Sequence, residues 1–83
     1  MEYTYITKGV CSRSINITVE DGILKDVSFM GGCHGNLQGI SKLVKGMRIE
    51  DVIEKLENIK CGYKDTSCPD QLAKALKEIS EQM

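Results

Sequence analysis

Ser14-Ile15-Asn16-Ile17-Thr18-Val19-Glu20-Asp21-Gly22-Ile23 is the stretch on which the fold turns. Ile15, Ile17 and Val19 alternate with Asn16, Thr18 and Glu20, the period of a strand with one face in a core and the other in water. Asp21-Gly22 then interrupts the pattern with a residue pair suited to positive φ. Beyond it Ile23, Val27 and Phe29 fall on one face, so the segment reads as an antiparallel hairpin. A two-residue loop sets Ile17 opposite Asp26 and Asn16 opposite Val27, which mixes the faces. A three-residue loop, Glu20-Asp21-Gly22 with Gly22 left-handed, pairs Val19 with Ile23 and Ile15 with Val27. Same-face pairing makes this second arrangement, a type I turn with a G1 bulge, the expectation, at the cost of Lys25 facing Ile17.

Upstream, Tyr3 and Tyr5 alternate weakly with Thr4 and Ile6, a β-prone start and a first strand. Downstream of Met30-Gly31-Gly32 the period becomes helical. Asn36 suits an N-cap, and Leu37, Ile40, Leu43 and Val44 form an apolar stripe. Gly46 stops that helix, with Met47 set to pack back on Leu43 as in a Schellman end. A second helix carries Ile49, Val52, Ile53 and Leu56, with Arg48 in a weak cap position. Residues 58–67 read as a loop. A third helix has Pro69 in its first turn, making Cys68 the expected cap, and Leu72, Ala73, Leu76 and Ile79 at helical spacing. The order β-β-β-α-α-α predicts an α+β fold, a three-stranded antiparallel sheet with three helices packed on one face. Residues 1–83 make a single domain.

Eleven basic against twelve acidic side chains give a net charge of −1, so the whole-chain field of a nucleic-acid or membrane-surface binder is missing. No apolar run reaches the roughly 18 residues of a membrane span, and Met1-Glu2-Tyr3-Thr4-Tyr5 is unlike a secretion signal. A cytoplasmic location is the expectation, and there reduced thiols or metal thiolates are commoner than structural disulfides. Phe29 and three tyrosines are the only aromatics, so a core this small gains from a metal or cross-links.

The four cysteines fall where regular structure breaks: Cys11 in Gly-Val-Cys-Ser, Cys33 in Gly-Gly-Cys-His-Gly-Asn, Cys61 in Lys-Cys-Gly-Tyr and Cys68 in Thr-Ser-Cys-Pro-Asp. Core-filling thiols sit instead within strands and helices. A thiolate at the start of a helix meets unpaired N–H groups and the positive dipole end. Four thiolates supply the soft tetrahedral donor set of zinc, although no Cys-x2-Cys pair of the knuckle type is present. Backbone N–H groups near Gly31, Gly32, Gly35 and Gly62 can approach sulfur and balance its charge. The expectation is therefore a metal site of Cys11, Cys33, Cys61 and Cys68, holding zinc first and an iron–sulfur cluster as the alternative. His34 is a substitute ligand for Cys61 or Cys11, or else an exposed bystander. Asp70 reads as a complement to the helix dipole and Asp65 as a turn residue. The plain alternative is four reduced cysteines in a glycine-rich fold.

Thr66-Ser67-Cys68-Pro69-Asp70 spells TSCPD. With Gly9-Val10-Cys11-Ser12, the run Phe29 to Leu37 and Cys61-Gly62, the chain resembles the stand-alone TSCPD domain proteins over nearly its whole length. Related domains end the adenosylcobalamin-dependent ribonucleotide reductases. The resemblance therefore implies an accessory role near such an enzyme, as a metal module or as a thiol redox partner cycling Cys61 and Cys68. The reductase reaction itself needs a barrel around a radical cysteine, far more than 83 residues provide. A more distant likeness is to the NifU/IscU-type iron–sulfur scaffold proteins, whose three ligand cysteines match Cys11, Cys33 and Cys68. Arg13 stands where those proteins have an aspartate, Ser67 where they have a histidine, and Cys61 is extra; a fourth thiolate favours a closed site. The resemblances imply a protein partner, with a ribonucleotide reductase as the first candidate.

Overall fold

In the computed structural model of the chain, which describes residues 1–10, 12–32, 34–60, 62 and 65–82 and only the backbone of His34, β2 (Ser12–Glu20) and β3 (Ile23–Gly31) form the antiparallel hairpin. Its turn corrects the three-residue expectation. Glu20 pairs with Ile23 across two residues, Asp21 at φ 54° and Gly22 at φ 75°, both left-handed as a type I′ turn requires. The extra residue sits further along instead. Val19 pairs with Leu24 and Thr18 with Asp26, leaving Lys25 in a bulge. That bulge removes the objection to a two-residue loop: it moves Ile17 from Asp26 to Val27 and Ile15 to Phe29, and it turns Lys25 out to water. Leu24 rather than Ile23 becomes the fully buried residue at the hairpin's head.

β1 (Glu2–Ile6) adds antiparallel to β2, with Tyr3 opposite Ile17 and Tyr5 opposite Ile15, completing a sheet in the order β1-β2-β3. Three helices follow: α1 (His34–Val44), α2 (Ile49–Leu56) and α3 (Cys68–Gln82). The α+β order is thus the predicted one. The core joins Ile15, Ile17 and Val19 of β2 and Leu24 and Val27 of β3 to Val44, Ile49, Val52, Leu72, Leu76 and Ile79, so each helix contributes to one cluster over one face of the sheet. Asn16 and Glu20 point to water on the other face.

The helix ends depart from expectation in three places. α1 begins at His34, so Asn36 lies inside its first turn and is not the cap. Gly31 and Gly32, at φ 82° and 84°, reverse the chain after β3 and bring the helix start forward. Gly46, at φ 90°, does end α1, but not in a Schellman arrangement. Its N–H donates to Leu24 O at 2.7 Å, and Leu24 N–H donates to Met47 O at 2.8 Å, so the α1–α2 connection pairs with the edge of β3. Met47 packs on the core while Leu43, 79% exposed, stays in water; the apolar stripe of α1 is Leu37, Ile40 and Val44. At α3 the cap is Ser67, not Cys68. Ser67 Oγ accepts Asp70 N–H at 3.2 Å, and Gln71 N–H donates to Ser67 O at 2.8 Å. A hydroxyl accepts an N–H better than a thiol, and Ser-x-x-Asp places the carboxylate at the third helical position. Arg48 caps α2 without a side-chain hydrogen bond, as expected. Among the described residues no helix is long and apolar enough to cross a membrane.

Candidate metal centre

Of the residues expected to bind metal, Cys68 is the one whose side chain is described. Cys11, Cys33 and Cys61 lie outside the described residues, as does the His34 side chain. Among the described residues, no group of three or more His, Cys, Asp or Glu side chains could hold a metal ion.

Cys68 occupies the first position of α3, 6% exposed, and its Sγ shares a hydrogen bond at 3.2 Å with Ser12 Oγ, itself buried. The contact joins residues 56 positions apart and closes the start of β2 onto the start of α3. Ser12 faces inward because it continues the Ile15, Ile17, Val19 face past the irregularity at Ser12/Ser14. Across the hairpin Ser12 pairs with Gly31. The exposed Arg13 lies over that glycine: a Cβ at Gly31 would stand 3.5 Å from Arg13 Nε.

A second layer of polar side chains holds the same end of the molecule. Asp70 is 2% exposed, yet its carboxylate is fully engaged. Oδ1 accepts Asn58 N–H at 2.7 Å, and Oδ2 accepts Thr66 Oγ1–H at 2.5 Å and Lys74 Nζ at 2.9 Å. Burial pushes this carboxyl up, but the hydrogen bonds from Thr66, Lys74 and Asn58 and the charge of Lys74 outweigh it and hold the group below its ordinary value. Gln71, also buried, accepts Lys8 N–H at 3.1 Å through Oε1 and donates to Thr66 Oγ1 at 3.0 Å through Nε2. Ser67 Oγ–H donates to Ile59 O at 2.7 Å. The first turn of α3 thereby gathers the β1–β2 connection through Lys8 and Ser12 and the α2–α3 loop through Asn58, Ile59 and Thr66.

Ser12, Asp70 and Gln71 were not legible as site residues in the sequence. The one usable signal was the Ser67-to-Asp70 spacing of a capping box, which the adjacent Cys-Pro pair obscured. Chemically, a buried sulfur at a helix start with a hydroxyl on it is a suitable soft donor, because outer hydrogen bonds orient a thiolate and offset its charge.

The chain belongs to the TSCPD domain family, whose model matches residues 1–80 of the 83. No curated protein and no solved structure matches it.

Proposed function

We propose that this TSCPD domain is a small metal-binding module in which Cys11, Cys33, Cys61 and Cys68 hold one zinc ion, and that it acts as an accessory to another protein. The observation that carries the reading is the Ser12–Cys68 contact at 3.2 Å. It sets the chain neighbour of Cys11 against the sulfur of Cys68. Gly31, two positions before Cys33, is paired opposite that same Ser12. Ile59, two positions before Cys61, is tied to Ser67, the residue before Cys68. Residues close in sequence to Cys11 and Cys61 thus touch the start of α3, and one close to Cys33 pairs with Ser12, which supports a shared tetrahedral site.

Bound zinc would supply four strong bonds among segments from four parts of the chain, and so stabilise a small core. The Ser12 hydroxyl would orient the Cys68 thiolate, and the buried Asp70 and Gln71 would hold the loop in place around it. A ribonucleotide reductase is the partner class to which the family resemblance points, with the module assisting that enzyme rather than carrying its reaction.

Anaerobic purification with elemental analysis tests the reading. One tightly held zinc per chain, lost in the Cys68→Ser variant, is the expected result. Iron with acid-labile sulfide and visible absorption would assign the same thiolates to an iron–sulfur cluster instead. A folded, metal-free chain that forms a reversible Cys61–Cys68 disulfide would replace the metal reading with a thiol redox role.

A further inference from the structure

β3 is an edge strand, and only its first part is covered. Leu24 turns its N–H and C=O to Met47 and Gly46 of the α1–α2 connection. Hydrogen bonds elsewhere in the sheet determine which groups remain. Val19 exchanges bonds with Met1 on the β1 side, its N–H to Met1 O at 2.9 Å and its carbonyl from the Met1 amino group at 2.8 Å. The odd-numbered residues of β2 therefore face β1 and the even ones face β3. Thr18, Asn16 and Ser14 pair with Asp26, Ser28 and Met30, which face back into the sheet. Val27 and Phe29, between them, direct N–H and C=O outward. Among the described residues no loop or helix backbone takes these groups.

They open onto a groove of about 340 Å³ between β3 and α1. Val27, Phe29 and Leu37 give it an apolar floor, and Lys42 and Lys45 line its α1 side. Both lysines are exposed, and neither belongs to an ion pair among the described residues. Asp26, next to the bulge, is the one carboxylate in the described lining. The charge is segregated in the sequence as well: from Val27 to Arg48 there is no acidic residue, although the chain as a whole has net charge −1.

We propose that this groove binds an extended acidic peptide segment of a partner protein, which adds to β3 as a further strand. Alternating donors and acceptors at Val27 and Phe29 match a peptide backbone and do not match a phosphate backbone. Lys42 sits in the last turn of α1 and Lys45 just past its end, three positions on, so both cations stand on the same rim of the groove. Alternate side chains of an extended strand repeat at about 6.6 Å, so carboxylates on every second residue meet both cations. A second copy of this chain is the poorer occupant, because pairing two β3 edges sets one lysine-bearing wall against another.

The test uses the full chain and a labelled acetyl-Val-Glu-Val-Glu-Val-Glu amide. Controls are the peptide with lysine in place of glutamate and the acidic peptide N-methylated at alternate residues. The acidic peptide is expected to bind, to move the amide signals of Val27, Phe29, Lys42 and Lys45, and to slow amide exchange at Val27 and Phe29. Lys42→Glu with Lys45→Glu should weaken it about tenfold, and added salt should weaken it in the wild type. The salt arm reads the same charge dependence if the double variant fails to fold. Equal binding of the lysine or N-methylated peptide, or no binding at millimolar acidic peptide, overturns the proposal. So do concentration-dependent shifts at Val27 and Phe29 without peptide, which would assign the edge to a second copy.

Discussion

Asp70 shows how far a residue's role can extend beyond its sequence position. Its place in the first turn of α3 fits the expected complement to the helix dipole, but it is also buried and accepts three hydrogen bonds. Truncating it leaves Asn58 N–H and the Thr66 hydroxyl without their acceptor. Asp70→Ala is therefore expected to cost about 2–3 kcal/mol in urea unfolding. Lys74→Ala, which removes only the half-exposed partner, should cost under about 1 kcal/mol. Equal losses from the two would mean that the ion pair, not the backbone latch, matters. Tyr5 offers a pH-dependent counterpart. Burial, then the nearby Glu78 charge and more weakly that of Asp70, raise its phenol above the ordinary value, against the opposing pull of Lys74. A group whose folded value is raised contributes stability that is present below its unfolded value, about pH 10, and is lost as pH rises through the folded value. Unfolding measured at several alkaline pH values should thus show a shallower loss for Tyr5→Phe than for the wild type. Parallel curves would remove Tyr5 from the linkage. Such buried networks stayed hidden in the sequence because they depend on which loop closes over a helix start, and residue spacing does not encode that.

At the scale of elements, the alternation of Ile15, Ile17 and Val19 and the helical stripes of α2 and α3 were legible, because each period maps directly onto one buried face. The hairpin register was not. A face-matching argument has two solutions whenever a bulge is allowed, and the I′ turn with Lys25 bulged satisfies it as well as the longer loop does. Turn chemistry then decides, since two left-handed residues at Asp21 and Gly22 match the strand twist. Gly22→Ala should cost about 1 kcal/mol because the new Cβ is strained at positive φ, although nothing crowds it. Asp21→Asn should stay within about 0.5 kcal/mol. The bulge makes a sharper forecast. Deleting Lys25 removes the unopposed residue of β3 and keeps every later pair on its face, so the chain should still unfold cooperatively. Deleting Ser28 turns Phe29 away from the core and should abolish that transition. A tolerated Ser28 deletion, or a Lys25 deletion that fails to fold, would contradict the register.

For the molecule as a whole, the sheet and helices share one core, but the end around Cys68 is held mainly by polar contacts. Ser12, Ser67, Asp70 and Gln71 are all buried there, whereas Ile17, Leu24, Val52 and Leu76 fill the centre. The order of the elements and the family were readable from sequence, because periodicity and a five-residue string carry them. The convergence of chain segments on α3 was only inferable, since it arises from long-range hydrogen bonds such as Lys8 to Gln71 and Ser12 to Cys68. If zinc binds at that end, its removal should act unevenly. Chelation is expected to lower the midpoint of thermal unfolding and to speed amide exchange in residues 58–60 and 65–71, while amides paired between β2 and β3 keep their protection. Ser12→Ala should leave zinc bound at one per chain but let a chelator take it about tenfold faster, because the Cys68 sulfur loses its orienting hydroxyl. Faster exchange spread evenly over the sheet would assign the metal to the core as a whole. An unchanged release rate in the Ser12 variant would show that the hydroxyl serves packing alone.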